Sequence, residues 1–177
     1  VESGKPVDDE SIAVLQRYAR QNADEWVGHV NLGRGLQMNK ERVEEAFSAF
    51  STAYSLAPHL SSIAGMLGSL AHLHGRKKEA AEVYRTALAV TPRDASMYFQ
   101  LGLATQEEAD DADGLSAIQG EDASISAWKA AVALDGELTE AYSHLANRLA
   151  SKGDRKQAIK HGQTAVALNG TDSLTHE

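Results

Sequence analysis

Residues 61–94 read SSIAGMLGSLAHLHGRKKEAAEVYRTALAVTPRD. Small and apolar residues fall at Ala64, Leu67, Gly68 and Ala71. That is the i, i+3, i+4, i+7 stripe of a helix with one buried face. Gly75 then stands where a helix end favours a residue free to take a positive φ. A second stripe follows at Ala80, Tyr84 and Ala87, and Pro92 closes it. The stretch predicts two helices folded back on each other. Gly68 and Ala80 let them touch, because a larger side chain at either place would hold them apart.

The stretch is one copy of a repeat. Ala53 and Ala87, Pro58 and Pro92, and Leu67-Gly68 and Leu101-Gly102 all stand 34 residues apart. The segments KAAVALDG (129–136) and QTAVALNG (163–170) share that offset. A fixed period of this length marks an array of supersecondary units. Four units follow, at about 26–60, 61–94, 95–138 and 139–172. The first needs one extra residue near Lys40. Before them, DDESIAVLQRYARQ (8–21) sets Ile12, Leu15, Tyr18 and Ala19 on one helical face and predicts a helix covering the first unit. Residues 1–7 are expected to be a flexible N-terminus and 173–177 a tail. No polar closing helix follows the last unit, so its end is expected to pack on a partner or on further chain.

The third unit is interrupted. Ala87 and Ala131 stand 44 apart rather than 34, so ten extra residues lie within EEADDADGLSAIQGED (107–122). A calcium loop is excluded by its spacing. With Gly114 at the sixth position, Ala109 occupies the first and Gly120 the twelfth, where acidic ligands are required. The expectation is a solvated acidic loop at a hairpin tip, with the first helix able to run on through Glu107-Glu108 before it and with Leu115 and Ile118 on a single helical turn that folds back on the solenoid or docks on a partner.

Composition narrows the classes. A net charge of −8 argues against nucleic acid and against anionic lipid, both of which need a basic surface. The chain has no Cys, which removes disulfides, thiolate metal sites and a Cys nucleophile. No apolar run approaches the roughly 20 residues that span a bilayer. Three Pro, scarce β-branched runs and recurrent Ala and Leu predict an all-α protein. His72 and His74 are two apart and face different sides of a helix, whereas a helical zinc pair needs four. LGRGL (32–36) follows no strand, and its Gly33 reads as a packing glycine rather than part of a phosphate loop. His29 reads as a core or hydrogen-bonded histidine, and Trp26 and Trp128 read as core residues. The basic residues Arg76, Lys77, Lys78, Lys152, Arg155, Lys156 and Lys160 read as solvated.

The unit resembles the tetratricopeptide repeat. The matching residues are Leu67, Gly68, Ala71, Ala80, Tyr84, Ala87 and Pro92 in the second unit. In the fourth they are Tyr142, Leu145, Ala146, Leu149, Ala158 and Ala165. Leu32, Gly33, Leu36, Ala46, Phe50, Ala53 and Pro58 represent the first, and Tyr98, Leu101, Gly102, Trp128 and Ala131 the third. The resemblance implies a right-handed α-solenoid of four hairpins with an extra N-terminal helix, forming a single domain over 8–172. It also implies a concave groove lined by the first helix of each pair. Here that groove would carry Val27, Val30, Arg34, Ser62, Ser69, His72, Ser96, Phe99, Leu103, Gln106, Ser143 and Asn147. Chaperone adaptors of this family clamp an acidic C-terminal tail with several cations. Arg34 alone cannot do so, and that partner is not expected.

The expected function is a non-catalytic scaffold, a subunit or accessory domain of a larger assembly, holding a helix or extended peptide of a protein partner. No cofactor or metal is expected. Two alternatives are a regulatory domain of a larger enzyme and a self-assembling structural protein.

Overall fold

A computed structural model describes residues 7–110 and 114–172. Among the described residues it contains nine α-helices, one short 3-10 helix and no strand, in agreement with the all-α expectation. The helices are α1 (Asp9–Gln21), α2 (Trp26–Leu36), α3 (Val43–Leu56), α4 (Ser61–Leu73), α5 (Lys77–Val90), α6 (Ala95–Asp110), α7 (Gly114–Leu134), α8 (Thr139–Ser151) and α9 (Arg155–Asp172). The chain divides into two compact units, Val1–Thr91 and Pro92–Glu177.

In the first unit α2 pairs with α3 and α4 with α5, while α1 packs on α2 and α3 on α4. Asp8 starts α1 by accepting a hydrogen bond from the Ser11 amide at 2.7 Å. The α4–α5 turn is closed by Gly75 at φ +72°. There the Arg76 amide reaches back to the Ala71 carbonyl at 2.9 Å, which satisfies a carbonyl the helix end leaves open. The α2–α3 turn has no such glycine. The extra residue near Lys40 enters a 3-10 turn, Lys40–Arg42, and the Asn39 side chain accepts from the Glu41 amide at 3.0 Å. Helices α3 and α5 stop two residues short of Pro58 and Pro92, which bias the residue before them away from helix.

Close packing within each pair follows one rule. A Cβ placed on Gly33 would lie 2.7 Å from the Phe50 ring, and one on Gly68 would lie 2.5 Å from Tyr84. The bare backbone of the first helix is the seat for an aromatic ring of the second. Gly28 and Gly35 lie on another side of α2 and seat α1, against Tyr18 and Leu15. The core of this unit gathers Ile12, Val30, Leu36, Phe50, Ile63, Leu67 and Leu70 with the alanines of α3.

In the second unit α6 pairs with α7 and α8 with α9, and α7 packs on α8. Gly102 seats Trp128, which is fully buried. In the α8–α9 pair the sizes are small on both sides: Gly162 faces Ala146, 3.7 Å from where its Cβ would be. Gly153, at φ +83°, closes this turn as Gly75 does in the first unit. The core collects Ile125, Trp128, Ala131, Ala141, Leu145 and Leu149, with Tyr98, Phe99 and Leu103 packed against it.

The interruption is not a loop where it is described. Residues 107–110 continue α6, and 114–122 are the opening turns of α7. The two helices reach 16 and 21 residues, against 13 and 14 for α4 and α5. A second close approach stabilises the extension: a Cβ on Gly120 would meet Ala109 at 2.6 Å. Its acids are not simply solvated either. Arg148 of α8 donates to Asp110 at 2.7 Å and to Glu121 at 3.3 Å, and Lys152 pairs with Asp122. Leu115 and Ile118, by contrast, are exposed.

Candidate partner-binding site

In the first unit, the faces of α2 and α4 present Val27, Arg34, Ser62 and Ser69 to solvent, with His72 half-buried. Val30 does not join them. It is 5% exposed and belongs to the core cluster with Leu36 and Phe50. The reason is α1, which packs along α2 and brings Ile12 into that cluster. A first helix covered by an extra helix has less free face than the repeat pattern implies. A cavity of about 300 Å³ also lies beside α1 and α2, lined by Gln16, Ala19, Arg20, Ala23, His29 and Leu32. His29 Nε2 is 3.2 Å from the Ala23 carbonyl, so this ring is tied to the α1–α2 turn.

In the second unit Ser96, Ser143 and Asn147 are exposed, and Phe99, Leu103 and Gln106 are half-buried. Phe99 and Leu103 pack against the core, so only part of each is available as an apolar anchor. The Phe99 ring stands edge-on to His144 with centroids 5.7 Å apart, and its carbonyl accepts from Trp128 Nε1 at 3.3 Å. His144 also lies against the Trp128 ring at 4.9 Å. Burial pushes its pKa below the ordinary imidazole value, against an upward pull from Glu140. Beside it is a cavity of about 400 Å³ lined by Glu137, Thr139, Glu140, Ser143, His144 and Asn169. Ser143 is the residue that this cavity shares with the expected groove.

Sequence reasoning missed His144, Glu137 and Asn169, and it misjudged two groups. Trp26 is 37% exposed rather than core. Arg76 is not merely solvated: it donates to Glu79 at 2.7 Å and Glu44 at 3.1 Å, and lies 4.2 Å from the centroid of the Phe47 ring. A helical stripe identifies which residues share a face. It does not identify which ring of another hairpin reaches that face, and this hid His144. Among the described residues no group of three His, Asp or Glu is placed to hold a metal ion, and no helix is long and apolar enough to cross a membrane.

No family model and no curated protein matches the chain. Solved structures do. A crystal structure of MamA is 18% identical with a TM-score of 0.76, covering 93% of this chain and 90% of that one. MamA from Desulfovibrio magneticus RS-1 is 24% identical with a TM-score of 0.71, covering 92% and 86%. The human IFIT1 dimer with PPP-AAAA is 19% identical with a TM-score of 0.65, covering 90% of this chain but 36% of that one. At these identities the likeness speaks for the fold alone, and with the hairpin packing above it shows that the chain has a tetratricopeptide-like helical-repeat fold.

Proposed function

We propose that the protein is a non-catalytic scaffold that binds a helix or extended segment of a protein partner on the first-helix faces of its hairpins. The single continuous solenoid over 8–172 is part of this proposal. One observation carries it. In the three hairpins where a glycine of the first helix seats an aromatic ring, that ring comes from the second helix. The hairpin partner closes one side of the first helix and the preceding helix packs on a second in α2, α4 and α8, while Arg34, Ser62, Ser69, Ser143 and Asn147 remain in solvent. Small hydroxyl and amide side chains there leave room for a backbone to approach, and half-buried Phe99 and Leu103 offer apolar contact. Arg34 favours an acidic group of the partner in the first unit. Glu137 and Glu140 favour a basic one in the second.

A protein partner is supported over a phosphate-bearing ligand such as the PPP-AAAA of the human IFIT1 structure. The chain carries a net charge of −8, and such a ligand needs concentrated cations. The test is affinity capture with the intact chain, followed by quantification of each captured protein. Ser69→Trp and Ser143→Trp fill the faces at exposed positions, and Ser48→Trp on α3 serves as control. Loss of the same captured protein with the two face variants, and not with the control, supports the proposal. Equal recovery with all three rejects it.

A further inference from the structure

Helix α9 leaves bare what the other second helices of hairpins cover. In the repeat register, Ile159 and Val166 of α9 match Phe47 and Tyr54 of α3, Ala81 and Leu88 of α5, and Ile125 and Val132 of α7. Those matching residues are all buried or half-buried. Ile159 and Val166 are 60% and 74% exposed. They stand about two helical turns apart, on one face.

Two of the covered faces show what fits there. Helix α4 packs on α3, and its Ile63 and Leu67 share a core with Phe47 and Tyr54. Helix α8 packs on α7, and its Ala141 and Leu145 share a core with Ile125 and Val132. In both, the cover is a helix whose small or apolar residues lie one turn apart on one face. The charge of α9 narrows the choice. Arg155, Lys156 and Lys160 are exposed, and no acid occurs between Asp154 and Asp172. At about 100° per residue, Arg155 and Lys156 fall on either side of the Ile159–Val166 stripe, with Lys160 next to Lys156. Among the described residues none of these three cations is in an ion pair, whereas Arg148 and Lys152 of α8 are. This basic helix belongs to a chain of net charge −8.

We propose that this face of α9 docks an acidic amphipathic helix of a partner protein. The surface is distinct from the first-helix faces, because α9 is the second helix of its hairpin. The partner helix sets small and apolar side chains on Ile159 and Val166, as α4 and α8 do on their supports. Its acids border that stripe and meet Arg155, Lys156 and Lys160. A helix with basic borders is repelled, and that repulsion makes the surface selective. An anionic bilayer is the less favoured occupant. Helix α9 offers it no aromatic anchor, and the net charge of the chain opposes it.

A displayed library of helical peptides, selected against the full chain, tests this. Leucine and alanine are fixed along one face, and the bordering positions vary among Glu, Lys and Ser. Enriched peptides are expected to carry Glu, and fluorescence anisotropy then measures their affinity. Ile159→Glu or Val166→Glu weakens binding by about tenfold or more, the worth of one large aliphatic contact. Lys156→Glu together with Lys160→Glu weakens it roughly tenfold, and the same peptide with Lys in place of Glu binds this double variant better than the parent chain. All these substitutions lie at exposed positions, and circular dichroism checks that each variant is folded. The proposal is overturned if no peptide is enriched, if the enriched borders are Lys or Ser, or if binding survives both Ile159→Glu and Val166→Glu. Self-association of the chain in sedimentation velocity that Val166→Glu abolishes overturns it in favour of a second copy. Co-sedimentation with phosphatidylglycerol vesicles through the same residues overturns it in favour of a lipid surface.

Discussion

The α4–α5 and α6–α7 hairpins begin from the same device and end differently. In each, a glycine of the first helix lies under an aromatic ring of the second, Gly68 under Tyr84 and Gly102 under Trp128. The first pair then turns at once through Gly75. The second runs on, meets again at Ala109 and Gly120, and is held to α8 through Arg148 and Lys152. An insertion placed between two antiparallel helices lengthens both without disturbing the contact below it. Its described residues bring their own close approach and their own charge partners. A local sequence can thus be absorbed by a repeat without changing the stacking that defines the repeat.

The largest expected effect comes from removing the shared device. Trp128→Ala should destabilise the protein by about 3–5 kcal/mol, measured by urea unfolding, because it empties a fully buried site. A loss below that of Tyr84→Ala would show that the upper approach at Gly120 carries more of the long hairpin than its base does. Next, Gly120→Val should cost about 1–3 kcal/mol through overpacking against Ala109. A neutral result would break the claim that the extension has a packing contact of its own. Arg148→Ala should cost about 1 kcal/mol, in the range of a partly exposed ion pair. Its sharper readout is hydrogen exchange, which should quicken in 106–122 while 64–72 is unchanged.

Acidification acts more gently, through the hairpin that packs on α7. His144, against Trp128, is held below the ordinary imidazole range by burial, and so is His161, where burial leads and Lys160 and Lys129 add to it. The unfolded chain therefore takes up protons first, as pH falls through the free imidazole value of about 6.5. Stability is full above that value, declines as pH drops through it, and levels off below the folded values. The urea midpoint should fall between neutral and mildly acid pH, and His144→Phe should flatten the fall. The smallest effect concerns the unit with the short hairpin. Tyr54 Oη is buried without a hydrogen-bond partner. Tyr54→Phe should be neutral or stabilising by up to about 1 kcal/mol. A clear loss would mean that the hydroxyl is satisfied in solution.

Much of the fold was legible because the repeat writes local rules many times over. Gly33, Gly68 and Gly102 recur against Phe50, Tyr84 and Trp128, so a single unit reveals the pairing of the others. The interruption was misread in kind. Glu107 to Asp122 is acidic and reads as a solvated loop, but Arg148 and Lys152, which pair with its acids, lie in the next hairpin. The candidate site was legible only as a set of faces. Val30 shares the expected stripe with Val27 and Arg34, yet Ile12 of α1 brings it into the core.

From the sequence alone come the helices, their pairing into hairpins and the residues that face a partner helix. Each depends on spacing along one chain segment: 3.6 residues per turn, a glycine at a turn, a fixed period between units. Tertiary structure decided which exposed-looking charges are tied, which stripe residues are sealed by another helix, and that Ile159 and Val166 stay bare. Those outcomes depend on what another segment brings within reach. Burial and ion pairing are properties of two surfaces together, and one segment's periodicity describes only its own.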